Sequence, residues 1–129
     1  MVTGLEEVLG LCPDPPQEAV ELMRREWPGP LTLVLPSGPR APSAVLGPDR
    51  TLAVRSPADP LSRDLLRLLE APFVSTSANR TGEAPVLDPD LVSRTIASEA
   101  DLFIDAGPLP EGGPSRILRI TSAGVERLR

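Results

Sequence analysis

Hydroxyls, carboxamides and a guanidinium stand where several apolar runs of this chain end. Val54-Arg55-Ser56 closes one run with a cation, and Ser75-Thr76-Ser77-Ala78-Asn79 closes another with three hydroxyls and an amide. Gly112-Gly113-Pro114-Ser115-Arg116 precedes a third, with two glycines that let backbone approach a ligand closely. Polar turns at strand ends are where α/β sheets hold ligands. Neutral donors beside a fixed cation suit a phosphate or a carboxylate. Each segment also has a plain structural reading. Residues 75–79 read equally as a hydroxyl-capped turn that satisfies its own backbone, Arg55 as an exposed strand-end charge, and the glycine pair as loop. The residues alone leave both readings open. Asp59 and Asp88 each precede a proline and read as helix caps, Trp27 as a core anchor beside a tight turn, and Cys12 as a partly buried small residue.

What is missing narrows the chemistry. The 129 residues include no histidine, tyrosine or lysine, and one cysteine. That excludes an internal disulfide, thiolate–imidazole zinc clusters, serine–histidine and cysteine–histidine nucleophiles, Schiff bases and a P-loop. Chemistry must rest on hydroxyls, arginine, carboxylates, backbone amides or a carboxylate-bound ion. All 13 basic residues are arginine and 17 residues are proline, which fits a thermophile or a GC-rich genome. A formal net charge of −5 argues against a broadly basic nucleic-acid surface but leaves room for a local arginine-lined cleft. The apolar runs are too short for a membrane span and Met1 opens no secretory pattern, so a soluble, cytoplasmic protein is expected.

The elements that would position these groups follow from periodicity and punctuation. Residues 15–27 carry Val20, Met23 and Trp27 on a helical stripe ended by Pro28-Gly29-Pro30. Leu31-Thr32-Leu33-Val34-Leu35 and Thr51-Leu52-Ala53-Val54-Arg55 read as strands flanking a proline-rich loop. Asp59-Pro60 starts a helix with Leu61, Leu65, Leu68 and Leu69 as its buried face. Phe73-Val74-Ser75-Thr76 reads as a third strand, Asp88-Pro89 as a helix start with Leu91, Val92 and Ile96 inward, and Leu102-Phe103-Ile104-Asp105 as a fourth strand. Residues 117–120 and 125–128 make a hairpin around Ser122-Ala123-Gly124. Length and order predict one α/β (α+β) domain over residues 1–129, a twisted mixed sheet with flanking helices.

In order, Trp27-Pro28-Gly29-Pro30-Leu31-Thr32-Leu33-Val34, Leu52-Ala53-Val54-Arg55, Pro60-Leu61 and Pro72-Phe73-Val74-Ser75-Thr76-Ser77-Ala78-Asn79 with Thr81-Gly82 resemble the YrdC-like family, in its bacterial short form. The resemblance implies a threonylcarbamoyl-AMP synthase: L-threonine, bicarbonate and ATP give threonylcarbamoyl-adenylate and pyrophosphate, for modification of adenosine 37 in tRNA. It implies Thr51, Ser77, Asn79 and Arg127 on the ATP or adenylate side, and Arg55, Ser75 and Ser115 around threonine. Mg2+ would be held mostly by the phosphates, with no protein-bound metal. A guanidinium fork for a carboxylate and hydroxyl donors for phosphates agree with those roles.

The family also carries an N-terminal portion with a Pro-Thr-Glu-like turn and a Lys-x-Arg pair, and this sequence has no lysine. Losing such cations would remove charge-assisted contacts worth about 1.5–3 kcal/mol each and leave a sheet edge to be covered. The expectation is a domain impaired in catalysis as this chain alone. A start lying upstream, a non-catalytic remnant and a homodimer through an exposed sheet edge all fit. The alternative function is a tRNA- or double-stranded-RNA-binding or assembly module using Arg55, Arg80, Arg116 and Arg127. A carbamoyl-transfer partner is a third.

Overall fold

The computed structural model describes residues 1–79, 86, 88–95, 99–107 and 113–129. They divide into two compact units, Met1–Val74 with Pro114–Arg129, and Ser75–Gly113. The first unit is built on a four-stranded mixed sheet of order β2-β1-β3-β4, formed by β1 (Leu31–Pro36), β2 (Thr51–Val54), β3 (Arg116–Thr121) and β4 (Gly124–Arg127). β1 runs antiparallel to β2 and parallel to β3, and β3 and β4 form the expected hairpin. The mixed α/β reading therefore holds.

Alternation along the strands sends one set of side chains into the core. Leu31, Leu33 and Leu35, Leu52 and Val54, and Leu118 and Ile120 are buried with Val8 and Cys12 of α1 (Leu5–Leu11) and its cap, and with Ala19, Leu22 and Met23 of α2 (Gln17–Glu26). α2 ends where expected. Trp27 Nε1 donates to the Leu31 carbonyl at 2.7 Å, anchoring the turn, and a side chain at Gly29 would run into the Glu26 carbonyl. α1 has no counterpart in the sequence reading. Burial pushes the Cys12 thiol pKa up, and the residue is fully rather than partly enclosed.

α3 (Pro60–Leu69) starts as predicted, with the Asp59 carboxylate accepting from Ser62 N–H at 2.7 Å and Pro60 in the first turn. Its buried face is different. Leu66 is enclosed and Leu61 and Leu65 are half-buried, whereas Leu68 and Leu69 are 81% and 55% exposed. Arg63 and Leu66 line one small cleft with Val2, Thr3 and Ser56, so this side of the helix faces the N-terminal segment.

Residues 72–77 and 101–107 carry no strand pairing among the described residues, so neither expected strand is part of the sheet. Phe73 instead exchanges backbone hydrogen bonds with Met1, whose ammonium donates to the Phe73 carbonyl at 2.5 Å. Leu102, Phe103 and Ile104 are exposed, and Asp105 closes a turn by accepting from Gly107 N–H at 2.7 Å. Composition specified extended backbone in both places, but a ladder also needs a neighbouring edge.

In the second unit, α4 (Pro89–Thr95) begins at Asp88, whose carboxylate accepts from Asp90 N–H at 2.9 Å. Leu91 is exposed rather than inward, Val92 is half-buried, and Ile96 lies outside the described residues. Among the described residues no helix is long and apolar enough to cross a membrane.

Candidate ligand-binding face

The strand period that buries Leu31, Leu33 and Leu35 must turn Thr32 and Val34 the other way. The same parity puts Thr51 and Ala53 of β2, and Ile117 and Arg119 of β3, on that second face. One residue further along each strand, it adds Arg55 and Ser115. The register makes this specific: Leu33 pairs with Val54, so the next residue, Arg55, falls beside Thr32 on one side, while Thr32 pairs with Ile117 on the other, with Ser115 two residues before Ile117 on the same face. The hydroxyls of Thr32 and Ser115 lie 3.1 Å apart.

Arg55 brings a cation whose Nε is buried and has no hydrogen-bond partner. Its carbonyl accepts from Val2 N–H at 3.0 Å, which fixes the backbone there. The Met1 ammonium nearby has its pKa lowered by burial, which outweighs the raising effect of Glu7, with Arg55 adding the smallest, lowering contribution. A buried, unpartnered guanidinium nitrogen on a face that also carries two hydroxyls suits a carboxylate. Thr51, at the other end of β2, donates its hydroxyl to the Pro48 carbonyl at 2.8 Å, within the turn that enters the strand.

Arg127 does not join this face. It pairs with Leu118, a core residue, so it projects toward the core side of the sheet, at its exposed edge. Arg129 is the arginine brought to Ser115, donating from Nε to the Ser115 carbonyl at 3.3 Å. The switch arises where the Ile117 carbonyl accepts from both Leu128 and Arg129 N–H, at 2.9 and 3.4 Å. Two residues of one strand there oppose one of the other, and the alternation shifts. Sequence spacing carries no sign of it.

Ser75, Ser77 and Asn79 belong to the second unit. Ser75 and Ser77 are exposed, and Asn79 N–H donates to the Ser77 carbonyl at 3.0 Å, closing a local turn. The arginines considered for RNA divide between faces: Arg55 lies on the second face, while Arg116 and Arg127 share the parity of Leu118. Arg116 is ion-paired to Glu26, which also binds Arg25 at 2.9 Å, and Arg80 lies outside the described residues. Among the described residues no group of three or more potential ligands is placed to hold a metal ion.

Comparison with known proteins follows the same lines. A family model for Sua5, YciO and YrdC proteins, described as telomere recombination, matches residues 1–129. The chain is 33% identical over 120 residues to a threonylcarbamoyl-AMP synthase of Pyrococcus abyssi, covering 93% of this chain and 35% of that protein. It is 37% identical over 112 residues to that of Pseudoalteromonas atlantica, covering 83% and 59%. The fold matches P. abyssi Sua5 complexed with L-threonine at a TM-score of 0.91 and 33% identity, over 99% of this chain and 38% of that one. It matches E. coli YciO at 0.89 and 27% identity, over 100% and 63%. The chain thus spans 35% and 59% of the two curated relatives' lengths.

Proposed function

Because the chain belongs to the Sua5/YciO/YrdC family, we propose that its second sheet face binds L-threonine and ATP as a threonylcarbamoyl-AMP synthase does. The observation that carries this is the buried, unpartnered Nε of Arg55 on the same face as the Thr32–Ser115 hydroxyl pair. Arg55 takes the threonine carboxylate and Ser115 its polar end. Thr51 serves the adenylate. Arg129, whose guanidinium reaches the Ser115 carbonyl, stands at the threonine end and takes the place of Arg127 among the late arginines.

The reaction asks for positioning rather than a protein nucleophile. The neutral amine of threonine takes up the carbon of bicarbonate with loss of water, giving a carbamate. A carbamate oxygen then attacks the α-phosphorus of ATP, and pyrophosphate leaves with the electrons of the broken P–O bond. Charge builds on phosphate oxygens, which arginine and hydroxyl donors stabilise. Mg2+ travels on the ATP phosphates. The product serves tRNA modification.

These residues contain no lysine, hence no Lys-x-Arg pair, and we propose slow turnover by residues 1–129 alone. Calorimetric titration tests binding: L-threonine should bind, and Arg55→Ala should weaken it at least tenfold. Absence of L-threonine binding at millimolar concentration would overturn the reading. Pyrophosphate release at a rate typical of enzymes, above about 1 per second, would overturn the impairment.

A further inference from the structure

We propose that Arg119 is a phosphate-binding residue of this chain, the cation over which the triphosphate crosses the sheet. The inference rests on the binding reading above and adds a residue to it.

Its position comes from the register. Val34 pairs with Ala53 on one side and Arg119 on the other, so Ala53, Val34 and Arg119 form one row across β2, β1 and β3. Ala53 lies midway between Thr51 and Arg55, four residues apart on β2, a span of about 13 Å at ~3.3 Å per residue. A ligand with its carboxylate at Arg55 and its nucleoside toward Thr51 must cross that middle row with its phosphates. Ala53 is small and exposed, Val34 is apolar, and Arg119 supplies the row's positive charge.

Its state fits the role. Arg119 is about a third exposed (32%), and its Nε is buried with no hydrogen-bond partner. Its contact with Glu126 is long, 3.6 Å, and the Glu126 side chain is 61% exposed. Such a pair holds the guanidinium loosely and is displaced readily by a phosphate, which accepts two parallel N–H bonds. Neighbouring arginines are committed elsewhere, Arg116 to Glu26 and Arg129 to the Ser115 carbonyl. With no lysine in the sequence, a fixed cation for this row has to be arginine.

The test is calorimetric titration of the full chain with ATP, inorganic tripolyphosphate and L-threonine. Arg119→Gln should weaken ATP and tripolyphosphate at least tenfold while L-threonine affinity stays within twofold. Glu126→Gln, which frees Arg119, should tighten both polyphosphates at least twofold, an effect of opposite sign that a structural role would not produce. Arg116→Gln, on the other face, should change neither. Wild-type ATP affinity in Arg119→Gln, or weakened binding in Glu126→Gln, overturns the proposal while leaving the binding reading intact. If the unaltered chain binds no ATP, the nucleotide part of that reading falls and this proposal with it. Should Arg119→Gln not fold, the Glu126→Gln result decides.

Discussion

Thr32 and Ser115 meet hydroxyl to hydroxyl at 3.1 Å although 83 positions separate them in the chain. The parallel pairing of β1 with β3 brings them together, through Leu31 opposite Arg116 and the Arg116 N–H bond to the Pro30 carbonyl at 2.9 Å. One of the two hydroxyls donates and the other accepts, so each fixes the other's direction. Thr32 is therefore expected to orient Ser115 toward a ligand.

Thr32→Val keeps the shape and deletes the hydroxyl. It should cost about 0.5–1.5 kcal/mol of stability, the net worth of one such bond, and weaken L-threonine binding several-fold. Thr32→Ser should restore most of the affinity. Thermal denaturation and calorimetry on the three proteins check both.

Leu66 and Leu68 separate the rotation of α3 observed here from the one its leucine spacing suggests. Leu66→Ala should destabilise by about 2–5 kcal/mol, as for other enclosed leucines. Leu68→Ala should stay within ~0.5 kcal/mol, as an exposed position does. Urea denaturation of both variants gives the comparison.

Removing the α3 cap with Asp59→Ala should cost about 1 kcal/mol, because the Ser62 N–H loses its acceptor. L-Threonine affinity should not follow, since the helix start contributes nothing to the second face.

Cys12 has its thiol pKa raised above 9.0 by burial. The folded state then holds its proton after the unfolded state has released it, so stability is full below pH 9.0 and falls as pH rises through the folded value. Denaturation midpoints should decline above that pH in the native sequence and lose this component in Cys12→Ala. The thiol should also react slowly with Ellman's reagent until the protein is unfolded.

Local chemistry wrote much of this fold plainly. Proline-bounded β-rich runs marked β1 and β2, Asp-Pro pairs marked the starts of α3 and α4, and Ser122-Ala123-Gly124 marked the final hairpin. Those signals act over a few residues and need no partner. Phe73-Val74 and Leu102-Phe103-Ile104 have the same β-rich character, but pairing depends on an edge that short-range pattern cannot supply. The site divides in the same way. Arg55 and Ser115 were visible as strand-end polar groups, and strand alternation put them on one face. Choosing between Arg127 and Arg129 required the register of β3 with β4 and the doubled acceptor at Ile117, neither of which spacing encodes.

The proposed position of L-threonine is against the sheet face opposite the core, between Arg55 and Ser115. Backbone amide NMR of the isotopically labelled chain titrated with L-threonine tests it most directly. Saturable shifts should concentrate at Thr32, Arg55, Ser115 and Ile117, with Leu22, Leu118 and Arg127 much less affected. Shifts centred on α2 or on Arg127, or no saturable shift at millimolar L-threonine, would contradict it.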